Sequence, residues 1–236
     1  MASLFEQLRE DVRFIEGLKA CMNCGVCTAI CPAAEFYNYD PRKLVDAVQT
    51  KDEKVLEDLL KSETIWYCGQ CMSCKTRCPR GNTPGFIIQA LRKLSIKLGY
   101  FTASEKGRQQ FAIKRTVGEN ILNYGYCVYP DVVTPTLHPE QGPVWQWVYE
   151  NSKQVMQQMK TSYKKQEAGT LRNIAKEDLD ELQRIFDVSG GTEMYQAIEK
   201  HSKIKAHEMK LDINDKTPNE YFFNVFTENS NEHTRD

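Results

Sequence analysis

Two cysteine runs constrain this chain more than any other feature. "CMNCGVCTAICP" (residues 21–32) and "CGQCMSCKTRCP" (residues 68–79) share one spacing, C-x2-C-x2-C-x3-C-P, displaced by 47 residues, and together hold eight of the nine cysteines. The opening segment "MASLFEQLREDVRFIEG" is too charged for the apolar centre of a signal peptide, so a cytoplasmic location is expected. Cytosolic thiols are kept reduced, which argues against a disulfide framework and for metal binding. The chain contains no run of roughly 18 to 20 uncharged apolar residues, so no transmembrane segment is expected and any membrane association would be peripheral or through partners.

Each run resembles that of the bacterial two-cluster ferredoxins. Three thiolates at x2 spacing can wrap a loop around three corners of one iron-sulfur cube, whereas the fourth is carried into the next element toward the neighbouring cube. The resemblance implies crossed ligation of two 4Fe-4S clusters: cluster 1 on Cys21, Cys24, Cys27 and Cys78, cluster 2 on Cys68, Cys71, Cys74 and Cys31. Pro32 and Pro79 suit the first turn of helices that would aim their positive ends at the clusters. Gly25 and Gly69 are expected to supply unusual backbone angles beside the ligands. Structural zinc is the alternative, although it usually spaces two C-x2-C pairs by a dozen or more residues.

Between the runs, Asp40-Pro41 reads as a helix start, and Leu44, Val45 and Val48, then Val55, Leu56, Leu59 and Leu60, recur at helical spacing over two short helices. After the second run Thr83-Pro84 repeats the start signal, Phe86, Ile87, Ala90, Leu91, Leu94 and Leu98 form an apolar stripe, and Lys97 and Gly99 mark the end. Two such runs linked by helices, with "CG" in the first and "YCGQCMSC" opening the second, resemble the alpha-helical ferredoxin domain. That domain occurs in the C subunit of heterodisulfide reductases and in the iron-sulfur subunits of succinate dehydrogenase and fumarate reductase. A dehydrogenase subunit would need a further cysteine-rich domain upstream, yet no cysteine precedes Cys21. Fused relatives carry C-terminal CCG motifs, whereas only Cys127 follows Cys78 and no Cys-Cys pair exists. The chain therefore resembles a separate C subunit, and its length suggests the Hdr-like complexes of bacterial sulfur oxidation.

The expected fold is mainly α: an alpha-helical ferredoxin domain over residues 1–104, a helical and loop extension over 105–227 that binds a partner, and a disordered tail over 228–236. The resemblance implies an electron-transfer subunit passing single electrons between an HdrA-like flavoprotein and an HdrB-like catalytic subunit. No nucleophile–base pairing or phosphate loop is legible, so catalysis would belong to the partners. A free-standing or other-oxidoreductase two-cluster carrier is the alternative. With 31 basic and 32 acidic side chains the balance does not favour nucleic acid. Residues 68–104 nevertheless hold Lys75, Arg77, Arg80, Arg92, Lys93 and Lys97 and no acid, a face for protein docking or a solvated loop.

Within the extension, 104–125 reads as one helix capped by Ser104 and ended near Gly125, followed by a proline-rich loop and further helices over 144–169, 175–190 and 192–210. Trp145, Trp147 and Tyr149 are expected to fill the core, Cys127 to be a buried inert thiol, and His201 and His207 to lie on the surface.

Overall fold

The computed structural model describes residues 2–227, so the tail expected over 228–236 lies outside the described residues. Fourteen α-helices and no strand occur among the described residues. Helices α1 (Leu4–Arg9) and α2 (Val12–Gly17) lead into the first cysteine run, which contains two one-turn helices, α3 (Val26–Ala29) and α4 (Ala33–Phe36). Then come α5 (Pro41–Thr50) and α6 (Glu53–Lys61), the second run, and α7 (Pro84–Leu98), the central helix of the molecule.

Local chemistry sets these boundaries. Asp40 caps α5 by accepting the Arg42 amide at 2.9 Å, ahead of Pro41 at the first position, and Asp52 caps α6 through the Val55 amide at 2.9 Å. Gly99 ends α7 in the left-handed region, φ 78°, where a Cβ would be strained. The apolar stripes expected on these helices face one core: Leu44, Val45, Val48, Leu56, Leu60, Ile87, Ala90, Leu91 and Leu94 are buried, while Val55 stays 39% exposed. Gly17 is a close-approach glycine, since a Cβ there would lie 3.0 Å from Phe86 Cβ and 3.1 Å from the Thr83 carbonyl.

The extension adds α8 (Glu105–Ile113), α9 (Glu119–Tyr124), α10 (Gly142–Glu150), α11 (Ser152–Gln158), α12 (Lys176–Val188), α13 (Gly191–Met209) and α14 (Glu220–Thr227). Ser104 caps α8 through the Gly107 amide and Gly125 ends α9, both at the expected positions. The helix between them is interrupted by a π-turn at Lys114–Gly118, whose wider bore admits other interactions. There Arg115 forms a bidentate pair with Glu199 of α13 (2.6 and 2.7 Å) and reaches the Asn214 carbonyl, and Tyr195 packs where a Gly118 Cβ would stand. Helix α14 was not expected from the sequence. Asn219 caps it through the Phe222 amide, and Tyr221, Phe222 and Val225 bury against α8, with Phe111 and Tyr221 rings 5.2 Å apart.

One continuous core runs from Leu4 to Val225 and joins α7 to α8, α13 and α14. A smaller cluster forms around Tyr129, Met156 and Tyr163. Three expectations for the extension fail. Trp147 is 55% exposed on α10, a helix with no buried residue, and Trp145 is anchored instead by its indole N–H to the Val133 carbonyl at 2.8 Å. Cys127 is exposed. His201 is half-buried with its ring over Gly99, and burial lowers its pKa; His207 is exposed as expected.

The Arg115 side chain is only 4% exposed. Although burial pushes the Glu199 carboxyl up, Arg115 and Lys114 hold it below the usual range. Arg115→Met should cost roughly 2–3 kcal/mol, less than a fully buried pair because Lys114 stays beside Glu199. Because the folded carboxyl is depressed, the pair's stability is present above about pH 4.3 and lost below it, so the variant should also weaken acid sensitivity. Anaerobic urea melts at pH 7 and pH 4 test both; a loss under about 0.5 kcal/mol at pH 7 contradicts the account.

Candidate metal centre

The two runs fold as variations on one loop. In each, the amide two residues after the first cysteine faces its sulfur: Asn23 N–H to Cys21 Sγ and Gln70 N–H to Cys68 Sγ, both 3.4 Å. Both loops take positive φ at the same two positions, Asn23 (60°) with Gln70 (55°), and Gly25 (78°) with Met72 (60°). The expectation for Gly25 holds. That for Gly69 does not, because the left-handed residues of the second loop are its neighbours Gln70 and Met72, held there by the loop's closure around the thiols.

The expected helix starts divide in the same way. Pro32 is the N-cap of α4, whose first amides, Ala33 and Ala34, act on the Cys31 thiol. No helix begins at Pro79: residues 79–81 form a turn, with Gly81 at φ 71° and its amide on the Cys78 carbonyl at 3.2 Å. The next helix is α7, starting at Pro84 without a side-chain cap from Thr83. Its Gly85 amide acts on the Cys74 thiol, placing the positive end of a 15-residue helix at the centre.

Two small pockets of similar size, about 20 and 30 Å³, open between the runs. Cys21, Cys24, Cys27 and Cys78 line the first, with Arg42, Arg80 and Asn82. Cys31, Cys68, Cys71 and Cys74 line the second, with Tyr39, Met72 and Gly85. Pro84 borders both. Each pocket therefore receives three thiols from one run and the fourth from the other. Cys24 and Cys71, equivalent positions of the repeat, are exposed, whereas the other six are half-buried. Cys127 is outside both pockets.

Protein contacts hold the loops in place. Gln49 on α5 accepts the Cys21 amide at 2.9 Å, and Thr28 donates to Asp40 at the start of the same helix. Arg92 on α7 donates to the carbonyls of Ile65 and Cys68, both at 2.7 Å, and lies over the Trp66 ring. Asn82 accepts the Lys19 amide at 2.7 Å and Thr83 donates to the Gly17 carbonyl at 2.8 Å, joining the end of the second run to the entry of the first. Arg92 has no carboxylate partner among the described residues, so its charge stands beside Cys68 uncompensated by protein.

Burial pushes the thiols of Cys27, Cys31 and Cys74 up, and the Ser73 hydroxyl holds Cys71 down. Loading the site must displace those protons. Burial also raises the Tyr39 phenol, helped by the sulfurs of Cys68 and Cys31. Among the described residues, no three His, Cys, Asp or Glu side chains close on one point as a single ion at about 2.3 Å from sulfur requires. Eight thiols, four lining each of two neighbouring pockets, are the number that two four-cysteine clusters use. Solvent-shielded donors without partners, Tyr39 Oη, Arg42 Nε and Asn82 Nδ2, occur on residues that line these cavities, where anionic sulfur would accept from them.

Fold and pockets define a helical protein that carries two 4Fe-4S clusters for electron transfer. Residues 17–82 match the family described as the 4Fe-4S dicluster domain. The chain is 37% identical over 145 residues to the C subunit of the ferredoxin:CoB-CoM heterodisulfide reductase of Methanosarcina acetivorans, covering 61% of this chain and 55% of that one. It is 35% identical over 121 residues to an iron-sulfur C subunit, the one numbered 2, of the CoB–CoM heterodisulfide reductase of Methanocaldococcus jannaschii, 51% and 57% of the two chains. Against the C subunit of the ferredoxin/F(420)H(2)-dependent CoB-CoM heterodisulfide reductase of Methanosarcina acetivorans the identity is 30% over 125 residues, 53% of this chain and 70% of the relative. The chain belongs to the family of heterodisulfide reductase C subunits. It spans little more than half the length of the first two relatives.

Anaerobically purified protein should be brown and contain about eight irons by its thiol count. Colourless protein with stoichiometric zinc by elemental analysis would contradict the cluster assignment.

Proposed function

We propose that this chain is the electron relay of a sulfur-metabolising complex, passing single electrons between a flavin-containing A-type subunit and a catalytic B-type subunit with CCG motifs. The relatives support the setting, because each of the three is a subunit of a heterodisulfide reductase. In this reading cluster 1 is held by Cys21, Cys24, Cys27 and Cys78, and cluster 2 by Cys31, Cys68, Cys71 and Cys74. The observation that carries it is the lining of each pocket by three thiols of one run and the fourth of the other.

When bound, the clusters supply one-electron chemistry. The chain's own part is to keep two such centres adjacent, with Pro84 bordering both, and to leave one corner of each, Cys24 and Cys71, near solvent for exchange with partners. Residues 1–104 would form the relay and 105–227 the partner-binding extension, in which the exposed apolar side chains Val144 and Trp147 of α10 support a docking role. Disulfide chemistry would take place on the B-type partner, in the cytoplasm. Among the described residues no helix is long and apolar enough to cross a membrane.

Anaerobic affinity capture of the tagged full chain at native expression level tests this. Co-purification of a CCG-containing chain and a flavoprotein in fixed ratio is expected. Recovery of the chain alone, still loaded with iron and able to exchange electrons with a soluble acceptor, would instead make it a free-standing carrier.

A further inference from the structure

Buried polar groups in folded proteins are almost always hydrogen-bonded, so those that are not call for an explanation. Tyr39 is 1% exposed and Asn82 2% exposed; the Asn82 side-chain N–H groups have no partner among the described residues, and the Tyr39 hydroxyl has none except the Cys68 thiol beside it. Both residues line the cysteine pockets, as does Arg42 with its unpartnered Nε, whereas Trp66, Ser202 and Tyr221, which also carry unpartnered atoms, do not. Tyr39 lines the second pocket beside Cys31 and Cys68, and Asn82 lines the first beside Cys21 and Cys78. Both side chains are fixed by other contacts. The Tyr39 ring packs edge-on to Tyr67 at 6.2 Å, and the Asn82 carbonyl oxygen is committed to the Lys19 amide at 2.7 Å, which turns the NH2 end away from that bond. The atom left over in each case is a donor, and each pocket is lined by four cysteine sulfurs that can accept from it.

We propose that Tyr39 and Asn82 set the reduction potentials of the two clusters one by one, Tyr39 O–H donating to sulfur of the Cys31, Cys68, Cys71 and Cys74 centre and Asn82 N–H to sulfur of the Cys21, Cys24, Cys27 and Cys78 centre. The proposal rests on the crossed ligand grouping proposed for the relay. Reduction adds one negative charge to a centre whose sulfurs are the acceptors, and hydrogen bonds to more strongly charged acceptors are stronger. Each donor therefore stabilises the reduced form over the oxidised form and raises the potential of its own centre. Because one donor is a phenol on the segment before α5 and the other an amide on the segment before α7, the two potentials can be adjusted separately. A relay needs that freedom, since its two centres must be poised against different partners. Arg92 adds a longer-range cation near Cys68, whereas the Arg42 charge at the other pocket is offset by Asp40 at 3.0 Å.

The test is an anaerobic redox titration of the full chain followed by EPR, with iron content and far-UV circular dichroism as controls on folding. Tyr39→Phe keeps the ring and removes only the hydroxyl. Asn82→Asp keeps an acceptor for Lys19 and removes the donor. Tyr39→Phe should lower the reduced-to-oxidised ratio at fixed potential about tenfold for one signal only, the signal also perturbed by Cys71→Ser, a shift of ~59 mV for a one-electron couple. Asn82→Asp should lower the other signal, the one perturbed by Cys24→Ser. Electron-nuclear double resonance of the unaltered chain should show an exchangeable proton coupled to each centre, with one coupling lost in each variant.

Unmoved potentials in an iron-replete Tyr39→Phe protein would overturn the proposal, as would equal shifts of both signals. If the variants fail to retain iron, absence of exchangeable-proton couplings in the unaltered chain overturns it, and their presence supports it. Failure of the ligand grouping is separately visible, because Cys31→Ser would then perturb the same signal as Cys24→Ser.

Discussion

Neither cysteine run can surround a pocket alone. Each pocket is lined by three thiols of one run and a fourth of the other, so both pockets form only where the segment around residues 21–31 meets that around 68–78. Much of the surrounding structure serves that meeting. Helix α5 grips the first loop through Gln49 and Asp40, α7 grips the second through Arg92, and the Asn82–Lys19 and Thr83–Gly17 hydrogen bonds tie the two together. With its N-terminal proline bordering both pockets, α7 is at once the main core helix and the wall between the centres. On the proposed ligand grouping, loading would add cross-links between the two segments and so couple metal binding to folding.

Such a layout suits an electron relay. Cube-like clusters need close spacing and stable potentials, and both follow from rigid loops with defined donors. One thiol per pocket, at matching repeat positions, is exposed. The extension is packed onto this unit through α13 and α14. Membership of the family of heterodisulfide reductase C subunits gives the setting, and the exposed Trp147 and Val144 are the chemistry with which an apolar partner surface would engage.

Much of this was legible in the residues. Repeat spacing named the eight thiols; Asp40-Pro41, Thr83-Pro84, Ser104, Gly99 and Gly125 marked helix ends; periodicity gave α5 to α8, α12 and α13. What escaped depends on interactions between distant segments. The left-handed backbone at Gln70 and Met72 is imposed by closure of the loop around sulfur, which side-chain preference does not report. The π-turn accompanies the Arg115–Glu199 pair, 84 residues apart, and α14 is too short for periodicity to mark, although Asn219 ahead of "EYFF" is a capping signal. Residue type places Trp147 and Cys127 inside, yet α10 buries no residue and Cys127 lies exposed beside the small cluster around Tyr129. Tyr39 and Asn82 carry no motif at all; only their burial without partners singles them out.

The measurement that tests the central claim most directly is a comparison of four single-serine variants by EPR of the reduced protein, requiring no prior assignment of signals. Cys31→Ser should perturb the same signal as Cys71→Ser, and Cys78→Ser the same signal as Cys24→Ser. If Cys31→Ser instead matches Cys24→Ser, each run holds its own cluster and the crossed arrangement is wrong.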